Sequence, residues 1–327
     1  SYILIGDFMI KDKALKKILV ASTTLLIILT IYVIKDFSKP NTLQTNLELE
    51  YVTGVGTNNI YLLNKNGLLV KSKILITENN KEKQIKTILK NLTIGQNNNY
   101  PDELSGTIPK DTKVKNVVYD EGYVTIDFSK NILGVKESKE NSMLESIVYS
   151  IFDLKNIKGI IIQVEGEVLG NYPNSKAKIT YPLTKSIGIN KEYNLHQRNN
   201  INKVVVYYLE EIDNKNYYVP VTKYLNDPND KIKIIIDSLT TSYIYEPNLM
   251  SFLNSNAKLN SYSEKENVFF LDFNTNLYDS KDKVLEEVIY SISYSIFDNY
   301  DVGSVVFSVD GKNIKTVSLM DDTKSKN

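Results

Sequence analysis

The chain has no cysteine and no tryptophan, and it contains a single histidine. The absence of cysteine excludes disulfide bonds, thiolate metal ligands, a cysteine nucleophile and a lipid-modified N-terminal cysteine. Because His196 is alone, histidine-pair metal sites and most histidine-based catalysis are disfavoured. Glycine is sparse at 14 residues, and no Gly-x-Gly-x-x-Gly or phosphate-loop pattern is present. We therefore predict a protein that is not an enzyme and has no cofactor and no metal.

The chain also lacks an excess of either charge. Lys and Arg together number 39, and so do Asp and Glu, which gives a formal net charge of zero. A nucleic-acid partner normally requires a clustered basic surface, so we expect none. Hydrophobic residues make up 42% of the 327 residues, enough for globular cores. The length suits two or three domains of about 100–150 residues each.

Ile18–Ile34 is a continuous run without a charged residue. Its length lies at the short end of the range of about 17–25 residues that spans a bilayer as a helix. Four lysines precede the run, namely Lys11, Lys13, Lys16 and Lys17. Because basic residues resist translocation, we predict a single-pass anchor in the cell membrane, with the N-terminus cytoplasmic and the remainder extracytoplasmic.

Two other interpretations of this run are weaker. A cleaved signal peptide requires a small-x-small site, which the following VIKDFSKP does not offer. A buried core helix would be amphipathic, whereas this run is apolar on all sides. Since the chain begins with Ser1, Met9 is a plausible true start.

An internal repeat organises the rest of the chain. Ser146–Asp153 reads SIVYSIFD, and 145 positions later (146 to 291) Ser291–Asp298 reads SISYSIFD. The same offset pairs Val164–Gly166 with Val309–Gly311. Farther upstream the offset drifts slightly, as small changes in loop length would produce. The chain therefore carries a duplicated domain.

The hydrophobic periodicity predicts the elements of each copy. Ile85, Ile88 and Leu89 have helical spacing, whereas Val124 and Ile126 alternate with polar residues as in a half-buried strand. In the first copy we predict strands Asn59–Leu63, Leu68–Ile76, Lys113–Tyr119, Tyr123–Phe128, Gly159–Val164 and Ala177–Tyr181, and helices Lys81–Leu92 and Lys139–Phe152. In the second we predict strands Val204–Leu209, Tyr217–Lys223, Ala257–Ser263, Val268–Phe273 and Ser304–Val309, and helices Asn229–Thr241 and Lys281–Ile296.

This order predicts an α+β protein. After the transmembrane helix come two tandem β-β-α-β-β-α-β(-β) domains, each a mostly antiparallel sheet with two helices on one face and its own core. The predicted boundaries are 1–17 for the cytoplasmic N-terminus, 18–34 for the anchor, 35–57 for a linker, 58–187 for the first domain, 188–201 for a second linker, 202–320 for the second domain and 321–327 for a disordered tail.

Several of these segments resemble a known family. Ile108–Val114 (IPKDTKV), followed by Gly122–Ser129 (GYVTIDFS), resembles the core pattern of the GerMN domain. The helix Ser146–Phe152 and the segment Tyr181–Lys185 (YPLTK) are also similar to later blocks of that domain. The second copy diverges more, since no Pro-Leu-Thr follows Gly311. The resemblance covers nearly all of residues 57–320.

The resemblance implies a GerM-type protein of sporulation and spore germination. Such proteins carry two GerMN domains outside the membrane and are similar in fold to the ring-building motifs of the channel between mother cell and forespore. It implies a scaffold that contacts copies of itself or other channel and ring proteins. Better-known members look like lipoproteins, whereas this chain has an apolar run in place of an acylated cysteine.

Candidate chemical residues favour structural roles. Asp127 and Asp272 occupy the same place in both copies, where a strand-end carboxylate commonly accepts hydrogen bonds from backbone amides of the following turn. His196 lies in a polar segment and is expected to be a solvated linker residue. The turn Asp120–Gly122 is expected to close a hairpin.

Tyrosine is abundant, with 23 residues, and clusters in the second copy. Tyr217, Tyr218, Tyr243 and Tyr245 form the candidate interaction surface. Core packing, a protein interface and stacking on a glycan remain open for them. The alternative function is therefore an extracytoplasmic module that binds peptidoglycan through this tyrosine-rich copy.

Overall fold

The computed structural model describes residues 2–5, 8–11, 56–96, 100–240, 249–279 and 283–319. Contacts divide the chain into two compact units, Ser1–Val52 and Thr53–Asn327. In the first unit, strands β1 (Tyr2–Ile5) and β2 (Phe8–Lys11) pair as an antiparallel hairpin. The predicted anchor Ile18–Ile34 lies outside the described residues. Within the residues that are described, no helix is both long and apolar enough to cross a membrane.

The second unit contains the same order of elements twice. The first repeat consists of β3 (Gly56–Leu63), β4 (Leu69–Ile76), α1 (Lys81–Leu92), β5 (Val114–Asp120), β6 (Tyr123–Phe128), α2 (Glu140–Phe152), β7 (Gly159–Val164) and β8 (Glu167–Val168). A short strand, β9 (Glu192–Asn194), lies in the connecting segment. The second repeat consists of β10 (Asn202–Ile212), β11 (Lys215–Leu225), α3 (Lys231–Thr240), β12 (Leu259–Lys265), β13 (Val268–Phe273), α4 (Glu286–Asn299), β14 (Ser304–Val309) and β15 (Lys312–Ser318).

Each repeat forms a four-stranded mixed sheet, in the order β5-β6-β7-β8 or β12-β13-β14-β15. The outer pairs are antiparallel, whereas β6 and β7, like β13 and β14, run parallel. A helix connects each parallel pair, because parallel neighbours need a long crossover in place of a tight hairpin. Two of the three pairs in each mixed sheet are antiparallel, as predicted, whereas the parallel central pair was not predicted.

The first hairpin of each repeat, β3–β4 or β10–β11, does not belong to these mixed sheets. They join across the repeats into one sheet in the order β10-β11-β4-β3, and β9 pairs with β11. One large cluster of buried hydrophobic residues runs through both repeats, and Val205, Tyr207 and Tyr294 form a small second cluster. The expectation of two separate cores is thereby corrected. A two-stranded hairpin is marginally stable alone. Here the inner strands β4 and β11 pair with each other, and the outer strands β3 and β10 contact α2 and α4.

Most predicted elements are present at the predicted places. Helix α1 has the predicted bounds and buries Ile85 and Ile88. Asn80 precedes it, and the Asn80 side chain accepts from the Lys83 N–H at 3.1 Å. This is the usual role of Asn at a helix N-cap. The hairpin turn before β6 has positive φ at Glu121 and Gly122, which confirms the predicted turn.

Several elements differ from the predictions, among them β8 and β9, which were not predicted. Ala177–Tyr181 is a loop: Leu183 exchanges two hydrogen bonds with Ile160 of β7, and β8 pairs with the end of that strand. Pro182 lacks the N–H that a continuous ladder would need at this point. Helix α4 begins at Glu286 rather than Lys281, and β15 was not predicted.

Candidate functional site: the inter-repeat junction

Two equivalent tyrosines meet where the hairpins join. Tyr61 on β3 and Tyr207 on β10 are each 2% exposed, and their hydroxyl oxygens lie 3.2 Å apart. β3 and β10 are the outer strands of the sheet order β10-β11-β4-β3. Both tyrosine side chains therefore reach across the inner strands towards each other. The contact therefore joins the same position of both repeats.

The tyrosine contact continues into an ion pair with a buried carboxylate. The Tyr207 hydroxyl donates to Asp298 Oδ2 at 2.7 Å, and Lys185 Nζ lies 2.7 Å from Asp298 Oδ1. Because Tyr207 has one proton and gives it to the carboxylate, Tyr61 must be the donor in the tyrosine pair. The Asp298 side chain is only 8% exposed, and a buried carboxylate needs such partners.

A repeated serine fixes each tyrosine strand to its helix. The Tyr61 N–H donates to the Ser150 hydroxyl at 3.0 Å, and the Tyr207 N–H donates to the Ser295 hydroxyl at 2.9 Å. Both serines come from the repeated segment SIVYSIFD or SISYSIFD. The repeated motif therefore supplies a helix-to-strand hydrogen bond in both copies.

Aromatic rings and one lysine surround the pair. Tyr149 of α2 meets Tyr61 edge-on at 5.6 Å between centroids, and Tyr294 of α4 packs against Tyr207 at 5.4 Å. Lys71 Nζ of β4 lies 3.2 Å from the centroid of Tyr294, a cation–π arrangement. The junction thus combines both helices of the repeated motif with an inner strand.

The inner strands pair directly at one position and are bridged beside it by Asn190. Lys71 of β4 pairs with Tyr218 of β11. The Asn190 amide donates to the carbonyls of Leu69 and Pro220, both at 2.8 Å, and its Oδ1 accepts from the Leu69 N–H at 2.8 Å. One side chain thereby replaces backbone bonds between the repeats. Residues 188–201, predicted as a linker, begin with this bridge.

The candidate interaction tyrosines occupy different surroundings. Tyr218 lies at the junction, where its ring meets Tyr294 edge-on at 5.0 Å. Tyr217 is partly buried and packs against the shared core. Tyr243 and Tyr245 lie outside the described residues. The interaction surface proposed for these four residues stays a prediction.

The repeated aspartates have structural partners. Asp127 accepts from the Gly166 N–H at 2.9 Å, and Asp272 accepts from the Gly311 N–H at 2.7 Å. The bonded turn follows the neighbouring parallel strand and not the aspartate's own strand, because the C-terminal ends of β6 and β7 meet. The prediction that a backbone amide of a turn donates to each aspartate was confirmed. The prediction that this turn follows the aspartate's own strand was wrong.

Asp153 and Asp298 had no role assigned from the sequence. Asp153 accepts from both the backbone N–H and the side-chain amide of Asn59, at 2.7 and 2.8 Å. Asp298 anchors the tyrosine contact. The sequence carried a signal for both aspartates, because each closes the repeated helix motif. An acid at a helix C-terminus opposes the helix dipole, so its presence there indicates another interaction.

In the part of the chain that the structure describes, no group of three or more His, Asp or Glu side chains is placed to hold a metal ion. His196 is exposed, and its backbone N–H donates to the Asn226 side chain at 2.8 Å.

The geometry of the junction is suited to holding two repeats in a fixed arrangement.

The buried tyrosines predict a pH dependence of stability. Burial raises the pKa of Tyr61, Tyr149 and Tyr207 well above the ordinary value for tyrosine. Because the folded-state pKa exceeds the unfolded one, the stability is complete below about pH 10 and falls as the pH rises further. In an absorbance titration we expect these three to ionise only as circular dichroism is lost. Ionisation of all 23 tyrosines with the fold intact would contradict this.

The fold and the junction define a duplicated α+β protein whose repeats share one sheet and one core. The sequence model of the Germane family, described as "Sporulation and spore germination", matches residues 59–170 and 205–315. The chain belongs to this family. These two ranges fall on the two repeats, so the resemblance to tandem GerMN domains is confirmed.

Individual relatives agree with the family. The spore germination protein GerM of Bacillus subtilis (strain 168) is 28% identical over 262 residues, which cover 77% of this chain and 71% of the relative. The solved tandem GerMN domains of the sporulation protein GerM from Bacillus subtilis are 26% identical to this chain. That structure superposes with a TM-score of 0.73 and covers 81% of this chain and 96% of its own.

Proposed function

We propose that this protein is a non-enzymatic, membrane-anchored scaffold in sporulation and spore germination. Its repeats would lie outside the membrane and support a ring or channel complex between mother cell and forespore. Family membership and the name of the Bacillus subtilis relative support the cellular process. The uncharged run Ile18–Ile34 supports the anchor.

The observation that carries the scaffold role is a pair of equivalent sheet edges. β5 (114–120) and β12 (259–265) are seven-residue edge strands 145 positions apart, and most of their residues are exposed. An edge strand presents unpaired N–H and C=O groups to which another chain can add. Two such edges on one body supply two similar contact surfaces.

The second repeat has the more accessible of these edges. In β5 the Tyr119 N–H points away from β6, since it donates to Glu82 Oε1 of α1 at 3.5 Å. Glu264 is the equivalent residue in β12 (119 to 264) and is exposed. Within the described residues, no side chain accepts from the Glu264 N–H. We therefore assign partner contact to β12.

The test uses a fluorescent fusion of the full chain in sporulating cells. We expect the fusion to concentrate at the engulfing septum and Glu264→Pro to disperse it, because proline removes the outward N–H of an edge strand at little cost to the fold. Glu264→Ala keeps the N–H and is the matched control. A fusion that is uniform over the vegetative membrane, or equal behaviour of both variants, would overturn the proposal.

A further inference from the structure

A cavity of about 520 Å³ lies beside the inter-repeat junction. Its lining comes from the β3–β4 turn and α2 of the first repeat, from the connecting segment, and from strands of the second repeat. The volume is within the range of about 300–1,000 Å³ typical of small-molecule sites, which often form where domains meet.

The cavity has an apolar inner surface. Val221 and Leu249 are 4% and 7% exposed, and the Tyr208 side chain beside them is 2% exposed. These side chains are already packed into the fold, so a ligand would contact a fixed wall. Fixed walls reduce the ordering cost of binding.

The charged residues of the wall take part in ion pairs. Glu145, with a side chain only 5% exposed, pairs with Lys191, and it accepts from the Asn190 N–H at 3.0 Å. Glu192 pairs with Lys223 at 2.9 Å. A charged ligand would have to disrupt one of these pairs, and separating a desolvated pair is costly. The wall therefore favours a neutral polar ligand.

An aromatic platform stands at the rim. Tyr193 is 63% exposed, and its ring stacks on Tyr224 with centroids 4.9 Å apart and an interplanar angle of 11°. Stacking holds the Tyr193 ring in place, while its high exposure leaves ring surface open to a ligand. Asn141 also lines the cavity, and its side-chain amide has no hydrogen-bond partner among the described residues.

We propose that this cavity binds a neutral pyranose glycan. A pyranose ring presents C–H groups on its faces, which pack on the Tyr193 ring, and hydroxyl groups on its rim. Carboxylate oxygens of Glu145 and Glu192 keep lone pairs beyond their ion pairs and accept from hydroxyls. The Asn141 amide both donates and accepts. This assignment is independent of the scaffold role, because Glu264 does not line the cavity.

Other ligand classes fit less well. A phosphate-bearing ligand would need an unpaired cation, and the lysine that lines the cavity, Lys191, is paired with Glu145. A hydrophobic ligand would cover the remaining lone pairs of the wall carboxylates without offering them a donor. A short neutral glycan uses the apolar surface, the polar wall and the exposed ring together.

Calorimetric titration of the full chain with chitotetraose and with cellotetraose tests the assignment. We expect binding of at least one, and a loss of about tenfold in affinity on Tyr193→Ala, the amount a favourable aromatic contact supplies. Tyr193→Phe keeps the ring and should bind as the unmodified chain does. Tyr123→Ala removes a tyrosine of similar exposure, 46%, in the first mixed sheet and should have no effect.

The two oligosaccharides separate the sources of the glycan. Preference for chitotetraose would assign the site to N-acetylated wall glycan, and preference for cellotetraose to unsubstituted polysaccharide. The proposal is overturned if neither oligosaccharide gives a heat of binding. It is also overturned if Tyr193→Ala and the unmodified chain bind with equal affinity. Circular dichroism of Tyr193→Ala must match the unmodified chain, as expected for an exposed side chain.

Discussion

Replacing Tyr207 by Ala is expected to lower the free energy of unfolding by about 3–5 kcal/mol, the range for removing a large buried aromatic side chain. The ring packs against Tyr294, and its hydroxyl contacts Tyr61 and Asp298. The substitution leaves a void at the contact between repeats and removes one of the partners of a buried carboxylate. Urea denaturation followed by circular dichroism measures the loss.

Tyr207→Phe separates packing from hydrogen bonding. The ring remains and only the hydroxyl is removed, so the expected loss is about 1.5–3 kcal/mol, the range for a hydrogen bond to a charged group. Tyr61→Phe removes a bond between neutral groups and should cost about 1 kcal/mol. If Tyr207→Ala costs no more than Tyr61→Phe, the junction does not hold the repeats together as described.

Gly106→Ala should lower the free energy of unfolding of the protein by about 3 kcal/mol, at the upper end of overpacking effects. A Cβ at this position would lie 2.3 Å from the carbonyl oxygen of Leu92 and 2.7 Å from its carbonyl carbon. The neighbouring Thr107 and Ile108 N–H groups both donate to that oxygen at 2.9 Å. The clash is with backbone at the end of α1, and backbone cannot rotate away as a side chain can.

Ser251 provides the control for this glycine. It is the equivalent residue of the second repeat (106 to 251), where a side chain is already present. Its hydroxyl accepts a long bond of 3.3 Å from the Leu253 N–H. Ser251→Ala should therefore cost under about 1 kcal/mol. Equal losses from the two substitutions in urea denaturation would show that the close approach at Gly106 is unimportant.

Local patterns in the sequence were sufficient for the repeat and for most of its elements. The spacing of Ile85, Ile88 and Leu89 predicted α1, and the alternation in β6 predicted a strand with one buried face. The pairing of strands was harder to predict, because it depends on how hairpins combine across a distance. β10 carried a signal: Val204–Leu209 is a continuous apolar run, which is typical of a strand buried on both faces.

The junction could be predicted only in part. The equivalence of Tyr61 and Tyr207 follows from the repeat, but their contact depends on the shared sheet, which no local pattern shows. The tyrosine-rich character of the second copy drew attention to Tyr217 and Tyr218. The exposed ring beside the cavity is instead Tyr193, in a segment predicted as a linker.

The central claim is that both repeats form one body, and coincident unfolding tests it most directly. The chain has no tryptophan, so Phe152→Trp and Phe297→Trp place one probe at the same partly buried position of each repeat. Because one core and one sheet join the repeats, we expect both variants to unfold at the same urea midpoint by fluorescence. Two well-separated midpoints, each seen by one probe, would contradict a shared core.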